Sequence, residues 1–89
     1  MTQKEILDDL KALIVERLKF DPRRAAEMTA ETTLPKGLEG SLGLDSLDFI
    51  ELSVAMEERF GIVIDETENL TDEFLSLESL SRFVLTKVT

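Results

Sequence analysis

Gly43-Leu44-Asp45-Ser46-Leu47-Asp48, running on through Phe49-Ile50-Glu51-Leu52-Ser53-Val54-Ala55-Met56-Glu57-Glu58-Arg59-Phe60 to Gly61, is the stretch whose reading decides the fold. A glycine, an acid and a serine precede a run with helical apolar spacing, and a second glycine follows it. The pattern predicts a helix from about Ser46 to Phe60, stopped by Gly61. At 100° per residue from Ser46, the residues Leu52, Met56, Phe49 and Phe60 fall at roughly 240–320°, which supplies the apolar stripe a bundle core needs. Leu47, Ile50 and Val54 form a second stripe at roughly 40–100°, flanked by Glu51, Glu57 and Glu58. Two accounts fit that second stripe. Either the helix is central and buried nearly all round, or the stripe is an exposed strip fringed by acids, suited to a partner with an apolar groove rimmed by Arg and Lys.

Outward from this helix, the remaining segments also read as helical. Thr2 and Glu5 make a capping-box pattern at the start of a periodic run through Ile6, Leu7, Leu10, Leu13, Ile14, Val15, Leu18 and Phe20. Asp21-Pro22 closes that run and can cap a short helical turn from Arg24 to Met28. Thr29 to Leu42 has the composition of a long loop, with Leu34, Leu38 and Leu42 expected to pin it to the core. Asp65 and Glu68 repeat the capping pattern ahead of a short third helix involving Leu70. Ile62-Val63-Ile64 is β-prone but has nothing to pair with, so it reads as an extended connector. A last helix after Ser76 presents Leu77, Leu80, Phe83, Val84 and Val88 inward. The expectation is an all-α four-helix bundle in one domain, residues 1–89, with a short third helix and a long loop between the first two main helices. There is no internal repeat or low-complexity tract.

Composition narrows the chemistry. Nineteen acidic against ten basic residues give a formal net charge of −9, which repels nucleic acid and anionic lipid and steers toward proteins with basic patches. With no cysteine there is no disulfide, thiolate or Cys-based metal site, so a reactive thiol must come from outside. With no histidine there is no ordinary base to activate a serine, which argues against a serine hydrolase. The N-terminus is polar, and no apolar run approaches the length of a membrane span. A soluble, cytoplasmic monomer without membrane insertion is expected.

Ser46 admits a plain reading as an N-cap, since serine is favoured there. Its surroundings say more: Gly43 frees the backbone to turn, Asp45 and Asp48 gather negative charge around the hydroxyl, and Leu47 opens the second stripe. Gly-x-Asp-Ser-Leu-Asp at the head of an amphipathic helix, in an acidic chain of under a hundred residues, resembles the attachment motif of the acyl carrier protein family. Glu51-Leu52, Ala55-Met56-Glu57-Glu58 and Phe60 are similar to the rest of that family's second helix, and the resemblance extends over residues 4–86.

The resemblance implies a four-helix bundle in which Ser46 carries a covalent 4'-phosphopantetheine arm, with Asp45 and Leu47 beside it. A separate phosphopantetheinyl transferase would add the arm from coenzyme A. The chain would then hold acyl intermediates as thioesters and deliver them to fatty-acid, lipid or polyketide-type enzymes, without being an enzyme itself. Leu47, Asp48, Ile50, Glu51, Val54, Glu57 and Glu58 would dock basic patches on the transferase and on acyl-transferring and synthase enzymes. Acyl chains would fold back into a cavity lined by Phe49, Ser53, Met56, Ile62, Ile64 and Leu70. Several positions depart from the family's habit. Ser41 stands two residues before the motif glycine, Arg59 interrupts the acidic end of the helix, and Ile64-Asp65 lacks an intervening proline. Phe49 is bulky, and the Leu34–Ser41 loop carries Pro35, Gly37 and Gly40. These leave room for a specialised carrier.

Three competing readings remain at this level. The acid-rich run from Asp65 to Glu73 lacks the glycine and ligand spacing of an EF-hand, so no resident metal is expected. An unmodified interaction module would use Ser46 only as a cap. A peptidyl or aminoacyl carrier would use the same arm, but its motif more often reads Gly-Gly-x-Ser without flanking acids.

Overall fold

The computed structural model describes residues 2–65 and 72–88. Among them are four α-helices, α1 (Gln3–Arg17), α2 (Pro22–Ala26), α3 (Ser46–Phe60) and α4 (Leu77–Val88), and a 3₁₀ turn, Asp72–Phe74, that leads into α4. Backbone pairing outside the helices is limited, among these residues, to isolated bridges. The expected short third helix, with Glu68 and Leu70, lies outside the described residues.

Local rules set the helix ends. The Thr2 hydroxyl accepts the Glu5 N–H at 3.2 Å and the Glu5 carboxylate accepts the Thr2 N–H at 3.1 Å, satisfying two donors that the first turn leaves open. These bonds, the backbone one foremost, hold the Glu5 carboxyl below the usual carboxylate range. The periodic run continues to Phe20, but the helix stops at Arg17, because Lys19 turns the chain through a left-handed φ of 59°. Leu18 and Phe20 still pack, partly buried, against the core. Asp21 accepts the Arg23 N–H at 2.9 Å and caps α2, which begins at Pro22, where a missing donor costs nothing. α2 therefore starts two residues ahead of the expected Arg24.

α1 packs against both α3 and α4. The core joins Ile6, Leu10, Leu13 and Ile14 of α1, Leu52, Ala55 and Met56 of α3, and Leu77, Leu80 and Val84 of α4. Burying each such Leu or Ile contributes roughly 1.5–3 kcal/mol. Ser81 is buried among these residues because both capacities of its hydroxyl are used. It donates to the Glu78 carbonyl at 2.7 Å and accepts from Gln3 Nε2 at 3.0 Å, tying α4 to the start of α1.

The long loop is held by its backbone as much as by its leucines. Leu34 N–H donates to the Leu75 carbonyl (2.9 Å), Leu44 N–H to the Leu34 carbonyl (2.9 Å) and Leu77 N–H to the Thr32 carbonyl (3.0 Å). These bonds stitch the loop to the lead-in of α4 and bring residues 34–44 beside the 3₁₀ turn. Leu34 and Leu42 are buried as expected, but Leu38 is exposed. It sits at the tip between Gly37 and Gly40, both at positive φ, where the chain swings away from the core. Met28 and Leu44 take the buried places instead. Among the described residues, no helix is long and apolar enough to cross a membrane.

Candidate functional site

The start of α3 is built from a turn and a reciprocal cap. Gly43 has φ 74°, a conformation that a side chain rarely adopts, and its N–H donates to the Ser41 hydroxyl at 3.2 Å. Asp45, not Ser46, is the N-cap. Its carboxylate accepts the Asp48 N–H at 2.9 Å, and the Asp48 carboxylate accepts the Asp45 N–H at 3.1 Å. This capping box, built from two aspartates, displaces Ser46 to the first helical position. The N-cap reading of Ser46 is thereby corrected: an aspartate one residue earlier already satisfies the donors a serine cap would serve. Ser46 is exposed, and among the described residues no hydrogen bond engages its hydroxyl. It stands at the positive end of the helix dipole, where backbone N–H groups have no intrahelical partner, a setting that favours a phosphate ester. At the other end Gly61, with φ 67°, closes α3.

Beside Ser46 lies a groove of about 880 Å³. Its α3 wall is Ser46, Phe49, Ile50, Ser53, Val54 and Glu57; its far wall includes Pro35, Leu44, Ile64, Phe74 and Leu75. Of the cavity residues expected from the sequence, Phe49, Ser53 and Ile64 line it, while Leu70 falls outside the described residues. Met56 and Ile62 do not line it and belong to the core, at 0% and 8% exposure. The groove is centred on Ser46's own side of α3, from roughly 300° through zero to 80°, and Met56 lies just past that arc at about 280°. Ile62, released by the Gly61 turn, joins the buried cluster. Phe49 stands edge-on to Phe74, ring centroids 6.0 Å apart at 77°, and so bridges the two walls.

The second apolar stripe is exposed: Leu47 at 73%, Ile50 at 53% and Val54 at 40%. That disposes of the account in which α3 is buried all round. Ile50 and Val54 also line the groove, so strip and groove form one continuous surface, which Leu75 extends from the far wall. The acids around it are already engaged within the chain. Arg17 of α1 spans Glu51 and Glu58, each at 3.3 Å. The Glu58 hydrogen bond, with the charges of both carboxylates, raises the guanidinium pKa. The Glu57 carboxylate accepts the Ile64 N–H at 2.9 Å and anchors the connector after α3. Arg59, the basic interruption, pairs with Asp9 at 2.9 Å. Among the described residues no cluster of acids is arranged to hold a metal ion.

Comparison with known proteins gives the same region a family. The family described as "Phosphopantetheine attachment site" matches residues 8–84. An acyl carrier protein of Thermosynechococcus vestitus is 32% identical over 88 residues, covering 99% of this chain and 98% of the relative. One of Treponema pallidum is 37% identical over 86 residues, covering 96% and 97%. One of Helicobacter acinonychis is 41% identical over 63 residues, covering 71% and 72%.

Proposed function

Because this chain belongs to the acyl carrier protein family, whose cofactor is 4'-phosphopantetheine, we propose that Ser46 is the residue that carries the arm and that the adjoining groove shelters its acyl cargo. Members of the family are carriers, not enzymes. The observation that carries the assignment is the division of labour at the start of α3. Asp45 and Asp48 cap the helix between themselves, which leaves the Ser46 hydroxyl exposed and unengaged at the N-terminus.

Those features fit a phosphodiester at Ser46. When bound, the arm supplies the thiol that a chain without cysteine lacks. This protein's own residues present and hold. Gly43 turns the backbone so that Ser46 projects from the end of α3, and the Asp45–Asp48 box keeps the first turn from fraying. No histidine stands ready to take the serine proton, so that proton is removed within the transferase's active site. Leu47, Ile50 and Val54 offer an apolar docking strip beside the serine, with Asp48, Glu51, Glu57 and Glu58 as its acidic flank. The partners are a phosphopantetheinyl transferase and acyl-transferring or synthase enzymes with basic docking patches, met by a cytoplasmic, monomeric, single-domain carrier spanning residues 1–89. Phe49, Ser53 and Ile64 line the cargo side of the groove.

The assignment is tested by intact mass after incubation with a transferase and an acyl-coenzyme A. Wild type should gain one acyl-phosphopantetheinyl group whose acyl part hydroxylamine removes, and Ser46→Ala should gain nothing.

A further inference from the structure

Among the described residues of the groove, Ser53 is the one whose chemistry does not suit its place. It is 7% exposed, it lines the groove, and its hydroxyl is withdrawn from solvent with no hydrogen-bond partner among the described residues. A helical hydroxyl ordinarily bonds back to the carbonyl of the preceding turn. The hydroxyls of α4 do so: Ser79 donates to the Ser76 carbonyl at 3.0 Å, Ser81 to the Glu78 carbonyl at 2.7 Å and Thr86 to the Arg82 carbonyl at 2.9 Å. Ser53 makes no such bond, although the Phe49 carbonyl lies one turn behind it.

A buried water is a poor remedy, because an ordered water needs two to four polar partners of its own. Among the described residues, the groove sets Ser53 beside apolar side chains that include Phe49, Ile50, Val54, Ile64 and Phe74, with Lys36, Asp45, Ser46, Glu57, Asp65 and Asp72 as its polar lining. Glu57, one turn further along the same face of α3, holds the Ile64 N–H. Among the described residues none of the groove's polar side chains bonds the Ser53 hydroxyl, so an occupant that brings its own polar atom there would satisfy it. Ser53 also stands on the same side of α3 as Ser46, two turns or about 10 Å further along the axis, so a chain entering the groove from Ser46 passes it.

We propose that the groove prefers acyl chains bearing a hydrogen-bonding oxygen, hydroxy- or oxo-acyl groups rather than plain alkyl ones, and that the Ser53 hydroxyl recognises that oxygen. The inference rests on the reading of the groove as cargo space. In an apolar groove an unpaired substrate oxygen and an unpaired serine are each unfavourable, and pairing them relieves both. A plain alkyl chain would bury the hydroxyl more deeply with nothing to bond.

The test loads Ser46 with arms carrying octanoyl, or octanoyl with a hydroxyl at successive positions along the chain, each through a non-hydrolysable amide and each confirmed by mass. The fraction of chains seated in the groove is read from the methyl NMR shifts of Val54, Ile64 and Leu75, in wild type and in Ser53→Ala. At least one oxygenated arm should seat about two- to tenfold more than plain octanoyl in wild type, and Ser53→Ala should abolish that advantage. Alanine is a strong helix former, so the variant retains its fold. Equal seating of plain and oxygenated arms in wild type, or an advantage that survives Ser53→Ala, would overturn the proposal while leaving the cargo groove intact. If no arm moves the groove methyls, or none attaches, the cargo reading itself falls and the inference falls with it.

Discussion

Val54→Ala and Leu52→Ala, two residues apart on α3, should give opposite phenotypes. Leu52 is 0% exposed, and truncating it removes three carbons from a sealed core, a loss of about 2–5 kcal/mol. Val54 is 40% exposed. Its two lost carbons are worth about 0.8 kcal/mol each when fully buried, so at most about 1 kcal/mol is at stake here. The better helix propensity of alanine returns about half of that. In a chain of this size 1 kcal/mol moves the melting temperature by about 4–8 °C. Leu52→Ala should therefore melt about 8 °C or more below wild type, and Val54→Ala only about 2–4 °C below it. Modification by a transferase, followed by mass at a temperature where all three proteins are folded, should show the reverse order. Val54→Ala slows because the docking strip is cut, while Leu52→Ala keeps the wild-type rate. Equal drops in melting temperature would place Val54 in the core, and an unchanged rate for Val54→Ala would remove the strip from docking.

Phe49→Val, which removes the ring standing edge-on to Phe74, should widen the groove and lengthen the lifetime of a bound medium-chain thioester. An unchanged hydrolysis rate would mean that Phe49 does not set the groove's capacity. Arg17→Gln should cost under about 1 kcal/mol, since its ion pairs are solvent-exposed. It releases Glu51 and Glu58 together, so the rise in melting temperature produced by magnesium, over sodium chloride of equal ionic strength, should be larger than in Arg59→Gln, which releases only Asp9. Identical magnesium responses in the two variants would show that the α3 acids do not act as one patch.

What the sequence made legible was local. The Thr2–Glu5 box, the glycine stop at Gly61 and the start of α3 each follow from a few neighbouring residues obeying capping and turn rules. The exposed stripe of Leu47, Ile50 and Val54 came from the helical period. The loop was less legible, because its order comes from backbone bonds such as Leu34 to Leu75, which side-chain patterns do not report. The same holds for the far wall of the groove: Pro35, Leu44, Phe74 and Leu75 meet α3 only through tertiary folding. Reading cavity and docking strip as separate sets therefore put Met56 and Ile62 in the wrong place and divided a surface that is continuous. Arg17's hold on Glu51 and Glu58 joins residues 34 and 41 positions apart, beyond the reach of any periodicity. The identity of the N-cap was missed for a smaller reason. Asp45 and Ser46 are both favoured caps, and the signal that separates them is Asp48, three residues after Asp45, which completes the box.

The central claim is that one hydroxyl, Ser46, is left free by its aspartate neighbours to receive the arm. Fragmentation mass spectrometry of the chain after treatment with coenzyme A and a broad-specificity transferase tests it most directly, because it distinguishes Ser46 from Ser41 and Ser53 in the same molecule. A single phosphopantetheinyl group on residue 46, and none elsewhere, is the predicted result. The group on another serine, or an unmodified chain across several such transferases, would contradict it.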